Sequence, residues 1–240
     1  MYQPFYIPTW FQGWDILFDG IGLIIALLIA GYSWRVYKIS SENKFSYFSL
    51  AFVLVSLGFV FKMLTQGLVY YKTLRVSASA VLAPVVGMAS TGINYSELFF
   101  RGGFLLYMVT MLGAWLLIFF ISQKKTGRLK KYYEVSQIGL FVYLVVLISV
   151  VSNFKYFVFY LTSMVILGII VLNYYKNYLN KNRNNNALLV MMSFLLILVS
   201  QFFSVFVFLW NELYVLGEVF MLIGFLILLY TYRKTTKITY

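Results

Sequence analysis

The stretch LFFRGGFLLYMVTMLGAWLLIFFISQKKTGRLKK, residues 98–131, pairs one long apolar run with five basic residues directly after it. An α-helix rises about 1.5 Å per residue and needs about 20 apolar residues to cross the hydrocarbon core. Residues 98–122 meet that length, and Lys124, Lys125, Arg128, Lys130 and Lys131 follow with no acidic residue among them. Short connections rich in Lys and Arg stay in the cytoplasm, whereas acidic residues contribute little to orientation. The stretch reads as a transmembrane helix leaving the membrane on its cytoplasmic side.

The same pattern recurs on both sides of it. Apolar spans are expected over 14–37, 45–68, 98–122, 135–151, 154–174, 187–210 and 213–232, the fourth being the shortest. Arg35, Lys38 and Lys44 follow the first span, Lys176, Lys181 and Arg183 the fifth, and Arg233, Lys234 and Lys237 the seventh. With seven crossings, fourteen of nineteen basic residues but only two of seven acidic ones fall on one side. The fold expected is all-α, a polytopic seven-transmembrane helix bundle in the cell membrane. Its N-terminus is extracytoplasmic and its C-terminus cytoplasmic.

Composition agrees. The chain of 240 residues is 62% hydrophobic, with a mean hydropathy of +0.85, so residues 1–240 form one membrane domain whose first partner is the lipid bilayer. The net charge of +12 is divided among four loops that frame apolar spans. That arrangement suits anionic headgroups and gives no basic face for nucleic acid. The absence of cysteine and histidine removes disulfides, thiol chemistry, the usual haem ligand and the commonest zinc ligand. No cofactor and no metal site are expected. Residues 1–15 carry Pro4 and Pro8 but no basic residue, unlike a cleaved signal peptide, and read as an interfacial segment with Trp10 and Trp14 as belt residues.

Residues 69–96 are too long for a simple connection. Their run VSASAVLAPVVGMASTG is uncharged and rich in small residues, which suits either a lid over the bundle or a mobile outer hairpin. A faint repeat is also visible. Ser96-Glu97-Leu98-Phe99 with Gly102 and Gly103 matches Asn211-Glu212-Leu213-Tyr214 with Gly217 and Glu218, and Trp34-Arg35-Val36-Tyr37 matches Tyr175-Lys176-Asn177-Tyr178. Two parallel three-helix halves joined by the fourth span, a 3+1+3 repeat, would produce this pattern.

Ionisable residues inside spans cost several kcal/mol and by default mark a functional site or a buried pair. Asp19 lies one turn below Asp15 on the first span, Lys62 lies near the outer end of the second, and Glu218 lies below Glu212 on the seventh. If the helices close into a ring, Asp19, Lys62 and Glu218 meet in an outward-facing pocket with a net negative charge, and Asp15, Glu212 and Gln201 are the further candidates for ligand binding there. Such a pocket takes a cation, a proton or an amine; the competing reading is a structural ion-pair network. Gln201 is the most deeply placed amide and a candidate interhelical hydrogen bond. Glu97 and Arg101 are spaced as a helix-end ion pair.

Seven helices with an outside N-terminus resemble the rhodopsin and G-protein-coupled receptor arrangement. Residues 213–232, however, hold no Schiff-base lysine, and Ser122-Gln123-Lys124 stands where an Asp-Arg-Tyr triplet would close the third span. The repeat resembles sugar-transporting SWEET proteins, which hinge on prolines within helices; Pro4, Pro8 and Pro84 all lie outside the spans. The run from Asp19 through Arg35-Val36-Tyr37-Lys38 to Lys44 and on to Phe52 is similar to seven-helix sensory regions of bacterial and archaeal membrane proteins. That resemblance implies a non-enzymatic sensor that signals through a partner protein. The expected function is receptor-like, binding a small ligand or cation from the outer face. The alternatives are a secondary transporter of a small solute and a structural subunit of a membrane complex.

Overall fold

A computed structural model describes residues 7–71, 76, 95–123, 156–180 and 184–238. These form a short 3-10 helix, Thr9–Phe11, and the helices α1 (Trp14–Ser40), α2 (Asn43–Tyr70), α3 (Tyr95–Ser122), α4 (Tyr156–Asn180), α5 (Asn185–Val205) and α6 (Leu213–Ile238). All six are long and apolar enough to cross a membrane. The span expected at 135–151, most of the 69–96 segment, and the pairing of Glu97 with Arg101 lie outside the described residues and side chains.

Local chemistry sets the helix ends. Gly13 takes φ +93 before α1, a conformation glycine reaches without a Cβ penalty, and its N–H donates to Asp15 Oδ1 at 2.7 Å. Ser41 closes α1 in the left-handed region, donating its N–H to the Tyr37 carbonyl at 2.8 Å. Asn184 caps α5, its side-chain oxygen accepting from the Asn186 N–H at 2.9 Å. The expected span over 187–210 is shortened, because α5 ends at Val205. Phe206, Leu209 and Leu213 then bond back to Phe203, Phe206 and Trp210, a series of tight i→i+3 turns that reverses the chain into α6.

Each helix packs on its neighbours in the chain, and α6 returns to α1, so the six form a closed ring. Two of the joints are parallel. Phe104 and Tyr107, early in α3, pack on Phe159, early in α4, and Ser122 at the end of α3 accepts from Asn173 at 3.0 Å, well along α4. Likewise Phe11, just ahead of α1, meets Tyr214 early in α6. At the opposite end Ser49 donates to the Ala30 carbonyl while Phe48 stacks on Tyr232. One face of the bundle thus gathers the starts of α1, α3, α4 and α6, and the second face gathers their ends. Arg35, Lys38, Lys44, Lys176, Arg233 and Lys234 lie towards the second face, and Asp15, Asp19, Glu212 and Glu218 towards the first.

The burial pattern is that of a protein dissolved in lipid. Asp15, Asp19, Lys62 and Gln66 are buried to 1% exposure or less, while Leu161, Val165, Ile169 and Leu172 on α4 and Ile24, Leu27 and Leu28 on α1 are exposed. In water such an arrangement would bury the costly groups and leave the apolar ones wet. Exposed Trp14 and Trp34 are twenty residues apart on α1, about 30 Å, which matches the thickness of the hydrocarbon core. The chain is an integral membrane protein with six described spanning helices.

Helices approach closely where side chains are small. Gly224 sits against the Ser193 carbonyl and Ile197, and Gly217, one heptad earlier, against the Ser200 carbonyl and Ser204 Oγ. Gly103 faces Thr65, Gly58 faces Met111, and Gly22 lies on the Phe59 ring. Gly102, by contrast, meets nothing within 4 Å. Without a hydrophobic drive between helices in lipid, this packing and hydrogen bonds such as Ser33 Oγ to the Phe45 carbonyl hold the bundle together.

Candidate functional site

The polar residues of the spans converge on one group. Lys62 Nζ donates to Asp19 Oδ1 at 2.8 Å and to Glu218 Oε1 at 2.6 Å, which joins α2 to α1 and α6. All three side chains are buried, Glu218 the least so at 9% exposure. Register explains the meeting. Lys62 and Gln66, one turn apart on α2, face Glu218 and Tyr214, one turn apart on antiparallel α6, and Gln66 Nε2 donates to the Tyr214 hydroxyl at 3.4 Å. The Lys62 ammonium also stands 5.4 Å from the centre of the Tyr214 ring, within cation–π range. Buried Tyr107 of α3 and Tyr160 of α4 lie within electrostatic reach of the same charges.

Hydrogen bonds leave part of this group unsatisfied. Among the described residues Asp19 Oδ2, Gln66 Oε1, Ser163 Oγ and Gln201 Oε1 are buried without a partner. Buried polar atoms are normally paired, so each such oxygen calls for an explanation. Fully ionised, the triad has two carboxylates against one ammonium and carries one excess negative charge in a low-dielectric setting, where charge is expensive.

The remaining expected site residues separate into different roles. Asp15 has both oxygens engaged: its Oδ1 accepts from the Gly13 N–H and its Oδ2 from the Tyr70 hydroxyl, each at 2.7 Å. Burial, and then the bond to Asp15, raises the Tyr70 phenol above its ordinary range and keeps it a donor. Glu212 is exposed in the turn before α6, where its carbonyl accepts from Val215 and Leu216. Gln201 is buried on α5. It is level with Glu218, because Gly217 of α6 packs on Ser200. Arg101 is exposed near the start of α3.

Sequence reasoning singled out Asp19, Lys62 and Glu218 but missed Gln66, Tyr70 and Tyr214. A usable signal was present, since Lys62, Gln66 and Tyr70 recur every four residues on one face of α2. If Asp15 and Tyr70 act as a structural clamp, Asp15→Asn and Tyr70→Phe are each expected to cost about 1 kcal/mol in mixed-micelle unfolding. The double variant should lose clearly less than the two losses added together. Full additivity would show that the bond contributes nothing.

No protein-family model matches this chain, and no curated protein or solved structure is found similar to it.

Proposed function

We propose that the chain is a receptor-like, non-enzymatic membrane protein that binds a small cation or cationic ligand at Asp19, Lys62 and Glu218 and signals through a partner. The reading includes a seven-span topology with the N-terminus outside. In support of it, α3 and α4 run parallel, with Gln123 and Tyr156 at opposite faces of the bundle, which is the arrangement a further span between them requires. The basic residues gathered at the second face support its assignment as the cytoplasmic one. The binding group then lies towards the outside. The parallel joints α3–α4 and α6–α1 are also what two three-helix halves related by a 3+1+3 repeat would produce.

The observation that carries the ligand reading is the buried, net-negative triad with an unpartnered Asp19 oxygen. A network built only to hold helices in register would gain from balanced charge and satisfied oxygens. Secondary transport remains the second reading, because the triad bridges α1 and α6, the joint where the two halves of a repeat would move against each other. The test is a thermal-shift screen of detergent-purified protein against metal cations, amines, amino acids and sugars, repeated across pH and on Glu218→Gln and Asp19→Asn. A ligand or pH step is expected to shift the wild type and neither variant. If nothing shifts the wild type and both variants simply melt lower, the triad is a structural network.

A further inference from the structure

We propose that the ligand of this site is a proton, held on Asp19 Oδ2 and donated to Gln66 Oε1; this deepens the cation-site reading and rests on it. Charge and hydrogen bonding point to the same occupant. The triad has one negative charge too many, its Asp19 Oδ2 lacks a donor, and so does Oε1 of Gln66, one turn along α2 from Lys62. One proton corrects both. Its O–H bond forms at Asp19 Oδ2, the proton coming from water on the outer side, and the net charge of the triad goes from minus one to zero. The new hydroxyl is a donor where two acceptors had none.

The register puts donor and acceptor at the same level. On α1, Asp15 and Asp19 are one turn apart; on α2, Lys62, Gln66 and Tyr70 follow one another at single turns. Tyr70 bonds Asp15 and Lys62 bonds Asp19 Oδ1, so Gln66 stands between these two contacts along the same face of α2. The Gln66 amide nitrogen is already committed to the Tyr214 hydroxyl, which leaves its carbonyl oxygen as the acceptor. The proton is placed on Asp19 because its Oδ2 is the triad oxygen that lies buried without a partner.

The groups facing Asp19 are compatible with a proton entering and leaving. From α2 it faces the Lys62 ammonium, which also holds the Glu218 carboxylate of α6, and the Gln66 amide and Tyr214 phenol bond each other one turn away. Asp15 lies one turn away on its own helix, with both oxygens bonded, and Tyr107 and Tyr160 contribute from α3 and α4. When the proton leaves, the ammonium faces two charged carboxylates across three helices. The α1–α2–α6 contact is then the element whose balance the proton sets.

Infrared difference spectroscopy of the full chain in sodium-free proteoliposomes, titrated through neutral pH, tests this. A protonated-carboxyl C=O band is expected in the wild type. It should vanish in both Asp19→Asn and Glu218→Gln, since either leaves one carboxylate for one ammonium. In Gln66→Leu it should persist at higher frequency, because the acid has lost its acceptor. Absence of the band, its survival unchanged in both neutralised variants, an unshifted band in Gln66→Leu, or its removal by millimolar sodium overturns the proposal, the last in favour of a metal cation. The thermal screen separates the two readings. With a proton as ligand, pH alone shifts the wild type. A compound that shifts the wild type but neither variant, in a protein with no band, keeps the ligand site and removes the proton. Neither shift nor band removes both.

Discussion

Lys62→Met is expected to destabilise the protein by about 3–5 kcal/mol, the range for breaking a buried ion pair by removing one partner. The ammonium is 1% exposed and supplies hydrogen bonds to carboxylates on two other helices. Without it, Asp19 and Glu218 face each other in a lipid-embedded interior with no counter-charge. Mixed-micelle unfolding measures the loss, and poor accumulation in the membrane is expected to accompany it. The decisive comparison is the triple variant Lys62→Met, Asp19→Asn, Glu218→Gln, which removes every charge together. Replacing a buried ionic group by neutral ones is often harmless to stability, so the triple variant should recover most of what Lys62→Met loses. Failure of that recovery would mean that Lys62 acts through bonds particular to its ammonium, such as its contact with the Tyr214 ring, rather than through charge balance.

That prediction rests on residues whose importance was visible in the sequence, for a clear reason. Charge is so rare in the apolar segments that Asp19, Lys62 and Glu218 stand out individually, and helical spacing sets their depth. The long apolar runs likewise mark the helices, because the bilayer demands about 20 residues of each. What composition could not separate were the tyrosines. Among 21 Tyr and 24 Phe residues, nothing distinguishes Tyr214 under the Lys62 ammonium from exposed Tyr230 until neighbours are known. Asp15 illustrates the same limit. Its spacing from Asp19 suggested a shared pocket, but the Gly13 N–H and Tyr70 hydroxyl take both its oxygens, and those partners depend on a turn and on a second helix. Helix ends were read less well than helix centres: α1, α4 and α6 run past their expected spans into the interface, where backbone hydrogen bonding continues after hydropathy has fallen.

Gly224→Leu should also cost about 3 kcal/mol, at the upper end of overpacking effects, and for reasons far from the charged triad. A Cβ placed there would lie 2.9 Å from the Ser193 carbonyl and 2.8 Å from Ile197 Cγ1. A side chain can rotate away from an intruder, but a backbone carbonyl can move only with its helix. The substitution must therefore push α5 off α6 along the seam of Ser193, Ile197, Ser200 and Ser204, where Gly217 makes the second close approach. Gly102→Leu is the matched control: nothing lies within 4 Å of its Cβ position, so added bulk meets open space and unfolding should be unchanged or slightly harder. Equal losses at the two glycines would show that a general effect of the added side chain, not contact across the seam, governs both. Because Gly217 is adjacent to Glu218, loosening the seam should also disturb the triad. In Gly224→Leu protein that still folds, the response of the melting temperature to pH should be blunted, although no charged residue has changed.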